Sequence, residues 1–211
     1  NSSGFLYCYF DFSSIFFVYL NKLIVNNFMI RFIFIYSLFF LQLIQSQTNN
    51  PELVIGEERV EPGIIFIFEG AIKDHIMPGN MHLSENETHV HIEARVNWDE
   101  SNIPDGAVKN GFIPYLYINA KIINEKTGLS TFIDLVPHIN LIDNFHYARN
   151  ISLPGSISDN YSVIFNVIPP THVDLSLHKD WSLEYGNTLM NDCNFIYKKV
   201  NFKQIAKARR N

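Results

Sequence analysis

Residues 88–98 alternate without interruption. Val90, Ile92, Ala94, Val96 and Trp98 fall on one side, and His89, His91, Glu93, Arg95 and Asn97 on the other. Only an extended strand sends successive side chains to opposite faces, so this segment is predicted to be a strand with one apolar and one polar face. Such a strand must belong to a sheet, and the same period of two recurs from residue 63 onward while helical periodicity is weak. Further strands are expected at 64–68, 112–124, 130–135, 146–153, 161–168 and 173–178. Glu125-Lys126-Thr127-Gly128 supplies a hairpin turn, and Pro154-Gly155 and Pro169-Pro170 supply stops. Short strands at this spacing predict an all-β, antiparallel β-sandwich. Asp159-Asn160-Tyr161 at the head of a late strand has the form of the tyrosine corner of immunoglobulin-like sandwiches.

Charge divides the chain into unlike regions. Residues 1–47 are nearly uncharged and rich in Phe, Ile, Leu and Tyr. Residues 48–192 carry 20 Asp and Glu against 8 Lys and Arg, and residues 193–211 carry six bases and no acid. An acidic body excludes nucleic acid as a partner, because binding there depends on phosphate neutralisation, and it suits a cationic cargo. The basic end is expected to be a solvated tail, with anionic lipid as the alternative contact. The two cysteines, Cys8 and Cys193, are expected to lie outside the body, which leaves it without a disulfide framework or a thiolate cluster.

Met29-Ile30-Arg31, the apolar run 32–44 and the polar exit Gln45-Ser46-Gln47-Thr48 have the layout of a secretory signal. The expected organisation is a leader extension at 1–28, a signal peptide at 29–47 (a membrane anchor being the alternative), a sandwich domain at 48–185 and a basic tail at 186–211. The domain is thus read as exported.

All eight histidines fall between residues 75 and 178. Imidazole is the commonest metal ligand near neutral pH. In His91-Ile92-Glu93 the imidazole and the carboxylate project from one strand face and converge, with His89 in the same row. The alternative is a solvated strand face with both groups exposed. His138 and His146 flank a loop entering a strand, and His178 precedes Asp180, which is placed to orient it. Together these offer three or four nitrogens and one oxygen, a set that suits Cu(II) or Zn(II), with copper favoured on intrinsic affinity. Met77 and Met81 are the nearest soft donors in sequence, and nothing fixes them at the site. There is no Gly-x-Ser-x-Gly, His-Glu-x-x-His, phosphate loop or Gly-x-Gly-x-x-Gly motif.

From about Glu61 to Asp180 a series of segments occurs in order: His91-Ile92-Glu93-Ala94, Gly111-Phe112-Ile113-Pro114-Tyr115-Leu116, His146-Tyr147, Leu153-Pro154-Gly155, Phe165-Asn166-Val167-Ile168-Pro169-Pro170 and His178-Lys179-Asp180. In order and spacing they resemble the periplasmic, copper-binding iron-transport protein family of bacteria. The resemblance implies an immunoglobulin- or cupredoxin-like sandwich of about seven to nine strands that forms a homodimer and works beside an iron permease in the membrane. It implies metal ligands at His91, Glu93, His146 and His178. A methionine after proline belongs to the same family site; here Pro137-His138 stands in its place, which makes His138 a substituted ligand and shifts the preference toward Cu(II) or Zn(II) over Cu(I). The expected function is an exported copper-binding accessory protein of iron uptake, with iron as cargo and copper-assisted Fe(II) oxidation as a further activity. A non-catalytic immunoglobulin-like interaction module with incidental metal binding is the alternative, and a zinc hydrolase the third reading. Convergence of His91, His146 and His178 distinguishes the first two.

Overall fold

The alternation of residues 88–98 becomes a central strand with its apolar side sealed. In the computed structural model, which describes residues 52–210, Val90, Ile92, Ala94 and Val96 are all fully buried. The leader and signal or anchor expected at 1–47 lie outside the described residues. Eight strands follow in chain order: β1 (Leu53–Val60), β2 (Ile64–Ala71), β3 (Val90–Trp98), β4 (Tyr117–Asn124), β5 (Ser130–Asn140), β6 (Asn144–Ile151), β7 (Tyr161–Ile168) and β8 (Cys193–Val200). Two short helices, α1 (Lys179–Glu184) and α2 (Lys203–Lys207), precede and follow β8. Among the described residues no helix is long and apolar enough to cross a membrane.

The fold is all-β and every strand pairing is antiparallel, in the order β1-β2-β3-β6-β5-β4-β7-β8. The eleven-residue β5 joins the two halves. Its first part, through Leu135, pairs with β4, and its second part, from Val136, pairs with β6. The sheet therefore folds over on itself and is nearly barrel-shaped. Phe68 of β2 stacks on Phe165 of β7 with ring centroids 4.1 Å apart, and Phe66 and Phe68 both meet Phe195 of β8. The outer edges approach where the Tyr197 hydroxyl donates to Glu58 (2.9 Å). That approach requires Gly56, since a Cβ there would lie 2.1 Å from the Tyr197 ring.

Local sequence sets the connections. Asn124 Oδ1 accepts from the backbone N–H of Lys126 and Thr127, and Gly128 takes φ +76°, closing the expected β4–β5 hairpin. The Tyr161 hydroxyl donates to the Ser156 carbonyl five residues upstream (2.8 Å), the bond expected of a tyrosine corner.

Four expectations change. Residues 173–178 are not a strand, because Thr171 and Asp174 close a turn there and Val173 is exposed. The strand expected from 112 begins at Tyr117; Phe112 makes only an isolated bridge to Asn97, and Tyr115 has φ +66°. β1 is absent from the expected strands, because its charged residues and Gly56 obscure the period of an edge strand. Finally, the segment read as a basic tail holds β8 and α2. Cys193, Phe195 and Tyr197 turn toward the core, while Phe202 and Ile205 are buried. Cys193 therefore lies in the body, which extends well past residue 185.

Candidate metal centre

The polar face of β3 is buried where His91 and Glu93 stand and opens at Arg95 and Asn97. His91 is 3% exposed, Glu93 5% and, on β6, His146 2%, which excludes the solvated-face alternative. Strand register brings the groups together. His138 on β5 lies directly opposite His146 on β6, and β6 runs beside β3 with Ala148 opposite Glu93 and Asn150 opposite His91. Directly opposed residues share a sheet face, so His91, Glu93, His138 and His146 all project into one space. Imidazole nitrogens of His91, His138 and His146 lie within 4.8 Å of one another, and Glu93 Oε1 is 3.6 Å from His91 Nε2. Two nitrogens on one ion are separated by at most twice a bond of about 2.0–2.1 Å, so the spread is a little wider than an occupied site needs.

Hydrogen bonds determine which nitrogen of each ring is free. Asn150 Nδ2 donates to the carbonyls of Asp74 and Leu83, both at 2.9 Å. Its Oδ1 must then be the atom 2.7 Å from His91 Nδ1, so that Nδ1 carries the proton and Nε2 the lone pair. His146 Nδ1 donates to the Asn144 carbonyl (3.1 Å), again freeing Nε2. His138 Nε2 is buried with no hydrogen-bond partner. A buried, unpaired polar atom is costly, and a metal ion would satisfy it. On this chemistry the residues present fit a divalent transition metal.

The electrostatics agree. Burial lowers His91 to about 4 and His138 to about 3, and it lowers His146 as well, so all three rings are neutral at pH 7. Burial, with Asp143 and Glu69 adding repulsion, pushes Glu93 up to about 8. The His91–Glu93 contact is therefore not an ion pair at neutral pH, although its distance alone suggests one. Glu69, directly across from Glu93, is held by both Arg95 Nε and a second Arg95 nitrogen at 2.8 Å. Arg95 thus neutralises one carboxylate of the pair and leaves Glu93 free for a cation.

His178 is not brought to this cluster within the chain. It is exposed at the N-cap of α1, and Trp181 of that helix packs on Trp98 (ring centroids 6.3 Å). Trp98 lies at the far end of β3 from His91, roughly 23 Å away for seven residues of strand. Asp180 bonds its neighbour Trp181 N–H instead of orienting an imidazole. His89 accepts from the Leu153 N–H through Nδ1 (3.0 Å) and has a structural role. Met77 and Met81 are exposed. Two residues at the cluster lie outside the ligand set expected from the sequence. One is Asn150, a buried polar side chain on β6. The other is His82, whose ring meets His138 with centroids 5.1 Å apart; its only sequence signal is a place among four histidines between 75 and 91.

The sequence matches the family model described as Fe2+ transport protein over residues 49–203. The chain belongs to the Fe2+ transport protein family. No curated protein matches it. Among solved structures, it is similar to a copper-bound variant of Campylobacter jejuni P19, with 23% identity over 71% of this chain and 97% of that one and a TM-score of 0.60. It is also similar to copper-reconstituted P19 from the same organism, with 22% identity over 70% of this chain and 94% of that one and a TM-score of 0.58. A copper-bound variant of FetP from uropathogenic Escherichia coli strain F11 gives 23% identity, coverage of 72% and 99%, and a TM-score of 0.56. Family membership and fold thus agree with the resemblance carried by the ordered motifs.

Proposed function

We propose that the protein is an exported, transition-metal-binding accessory of iron uptake that holds copper through His91, Glu93, His138 and His146. The observation that carries this reading is the meeting of three imidazoles and one carboxylate in a buried space, with a nitrogen of each ring within 4.8 Å of the others and Glu93 3.6 Å from His91 Nε2. Cu(II) is the first choice, because among divalent first-row ions copper binds such donors most tightly; Zn(II) is the alternative. Bound copper would supply a Lewis-acidic centre capable of one-electron chemistry. Glu93 loses its proton to make room for the ion's charge, while Asn150 and the Asn144 carbonyl hold two rings in the ligating tautomer. Iron is the proposed cargo, drawn by the acidic body.

The remaining parts of the proposal follow the family. The folded sheet and the Tyr161 corner support an immunoglobulin- or cupredoxin-like sandwich. Ile139, Leu141, Ile142 and Phe145 are exposed at the β5–β6 hairpin beside His138 and His146, an apolar patch that supports a homodimer. His178 enters the proposal only as a ligand that a second copy would supply. The compartment is periplasmic or otherwise extracytoplasmic, with an iron permease in the membrane as partner. A hydrolytic zinc site is not favoured, since it needs a carboxylate free to act as base and Glu93 is assigned to the metal.

The test is a calorimetric Cu(II) titration of the protein beside His91→Ala and His146→Ala variants, with EPR of the loaded forms. Tight binding at one site per chain, lost in both variants, is the expected result. Weak binding at many sites that survives both substitutions would favour the interaction-module reading.

A further inference from the structure

We propose that His82 is a fourth imidazole ligand of this centre, delivered by the segment between β2 and β3 rather than by a strand. The inference rests on the metal-site reading above and adds a ligand that the ordered family motifs do not contain. Among the described residues only two buried side-chain nitrogen or oxygen atoms lack a hydrogen-bond partner, His138 Nε2 and His82 Nδ1. They belong to neighbouring rings, packed edge to face with centroids 5.1 Å apart. An imidazole nitrogen shut away from water without a partner costs free energy. One such atom is explained by the three-histidine cluster. The second, on a ring against that cluster, calls for the same explanation.

The backbone around His82 is held for this role. Asn150, whose Oδ1 orients His91, donates from its Nδ2 to the carbonyl of Leu83, the next residue after His82, and to that of Asp74. Asp74 in turn pairs with Arg210. One amide therefore fixes both the first ligand on β3 and the chain beside His82. The His82 nitrogens lie outside the set of three that approach within 4.8 Å. His82 sits in a connection rather than a ladder, however, and its ring already lies against that of His138, so ligation asks for an adjustment of a loop side chain and not of a strand. The result is a centre with four imidazoles and one carboxylate from a single chain. A nitrogen-rich set without sulfur favours Cu(II) over Cu(I) and closes the site on the side of residues 72–89.

The experiment compares the protein with His82→Ala and His82→Gln. The readouts are Cu(II) affinity by chelator competition, the nitrogen hyperfine pattern by EPR, and the thermal midpoint of the metal-free form. His82→Gln keeps a polar side chain of similar length without the imidazole, so it separates ligation from packing should the alanine variant fold poorly. His91→Ala serves as the reference for loss of the site. The expected result is a loss of affinity of at least about 10-fold, the lower end of what even an outer-shell partner is worth, in both His82 variants. One coupled nitrogen should disappear, and the metal-free midpoint of His82→Gln should not fall, because the unpaired buried nitrogen is lost with the ring. Unchanged affinity and hyperfine pattern in both variants, with His91→Ala still abolishing binding, would overturn the role of His82 and leave the three-histidine site intact. Absence of a single tight Cu(II) site in the unsubstituted protein would overturn both.

Discussion

Asn150 couples metal affinity to stability, and two substitutions separate the effects. Asn150→Ala removes three hydrogen bonds, a buried one to His91 Nδ1 and two part-buried ones to the Asp74 and Leu83 carbonyls. At about 0.5–1.5 kcal/mol net for each bond, the metal-free protein should lose about 1.5–4.5 kcal/mol. Freeing the His91 ring to rotate and change tautomer should weaken Cu(II) binding by about 10–100-fold, the usual effect of losing an outer partner of a ligating histidine. Asn150→Asp keeps an acceptor for His91 Nδ1 but cannot donate, and it sets a carboxylate against two carbonyl oxygens. It should match or exceed the alanine variant in lost stability while retaining most of the copper affinity. Urea unfolding of the metal-free forms gives the first quantity and chelator competition the second. If Asn150→Ala retained both its stability and its copper affinity, the reasoning from these hydrogen bonds would be refuted.

Three other outcomes are expected. His91 at about 4 and His138 at about 3 lie below an unfolded imidazole near 6.5, so the unfolded chain binds more protons as pH falls below about 6.5, and the metal-free protein should lose stability in that direction. Glu93 at about 8 lies above an unfolded carboxyl near 4.3, so the native state keeps a proton that the unfolded chain releases, and stability should also fall as pH rises toward 8. The optimum is therefore expected near pH 6.5, and Glu93→Gln should abolish the fall on the alkaline side and steepen the acid limb above about pH 4.3, as read by urea midpoints across pH. Cu(II) binding at pH 7 should release close to one proton from Glu93 and almost none from the already neutral imidazoles, a count obtained by calorimetry in buffers of different ionisation enthalpy. In the core, Phe68→Ala removes a ring that stacks on Phe165 and meets Phe195 and Tyr197, and should cost about 3–5 kcal/mol in denaturant unfolding.

The central strands are legible in the sequence because their period is strict. Residues 90–98 alternate so regularly that their buried face can be named residue by residue, and β7 matches its expected bounds. The edge strands are harder. β1 carries Gly56 for the sake of the Tyr197 ring, a requirement set by a residue far away in sequence. The inward period of β8, Cys193-Phe195-Tyr197, is hidden by the lysines around it. At the site, His91 and Glu93 can be read because strand geometry converts a spacing of two into a shared face. The opposition of His138 and His146 depends on hairpin register, which spacing suggests without fixing. Asn150 and His82 act through cross-strand and loop contacts that no local pattern encodes. Motif order groups His178 with the others, and order along a chain does not record that α1 packs at the opposite end of β3.

X-ray absorption at the copper edge, on protein loaded with one equivalent of Cu(II), reads whether the imidazoles of His91, His138 and His146 share one ion. The expected spectrum shows nitrogen and oxygen neighbours at about 2.0–2.1 Å, the bond length of imidazole and carboxylate on the comparable ion Zn(II), with multiple scattering from at least three imidazoles. A shell with one imidazole or none, or one containing sulfur near about 2.3 Å, would contradict it and move the metal away from His91, His138 and His146.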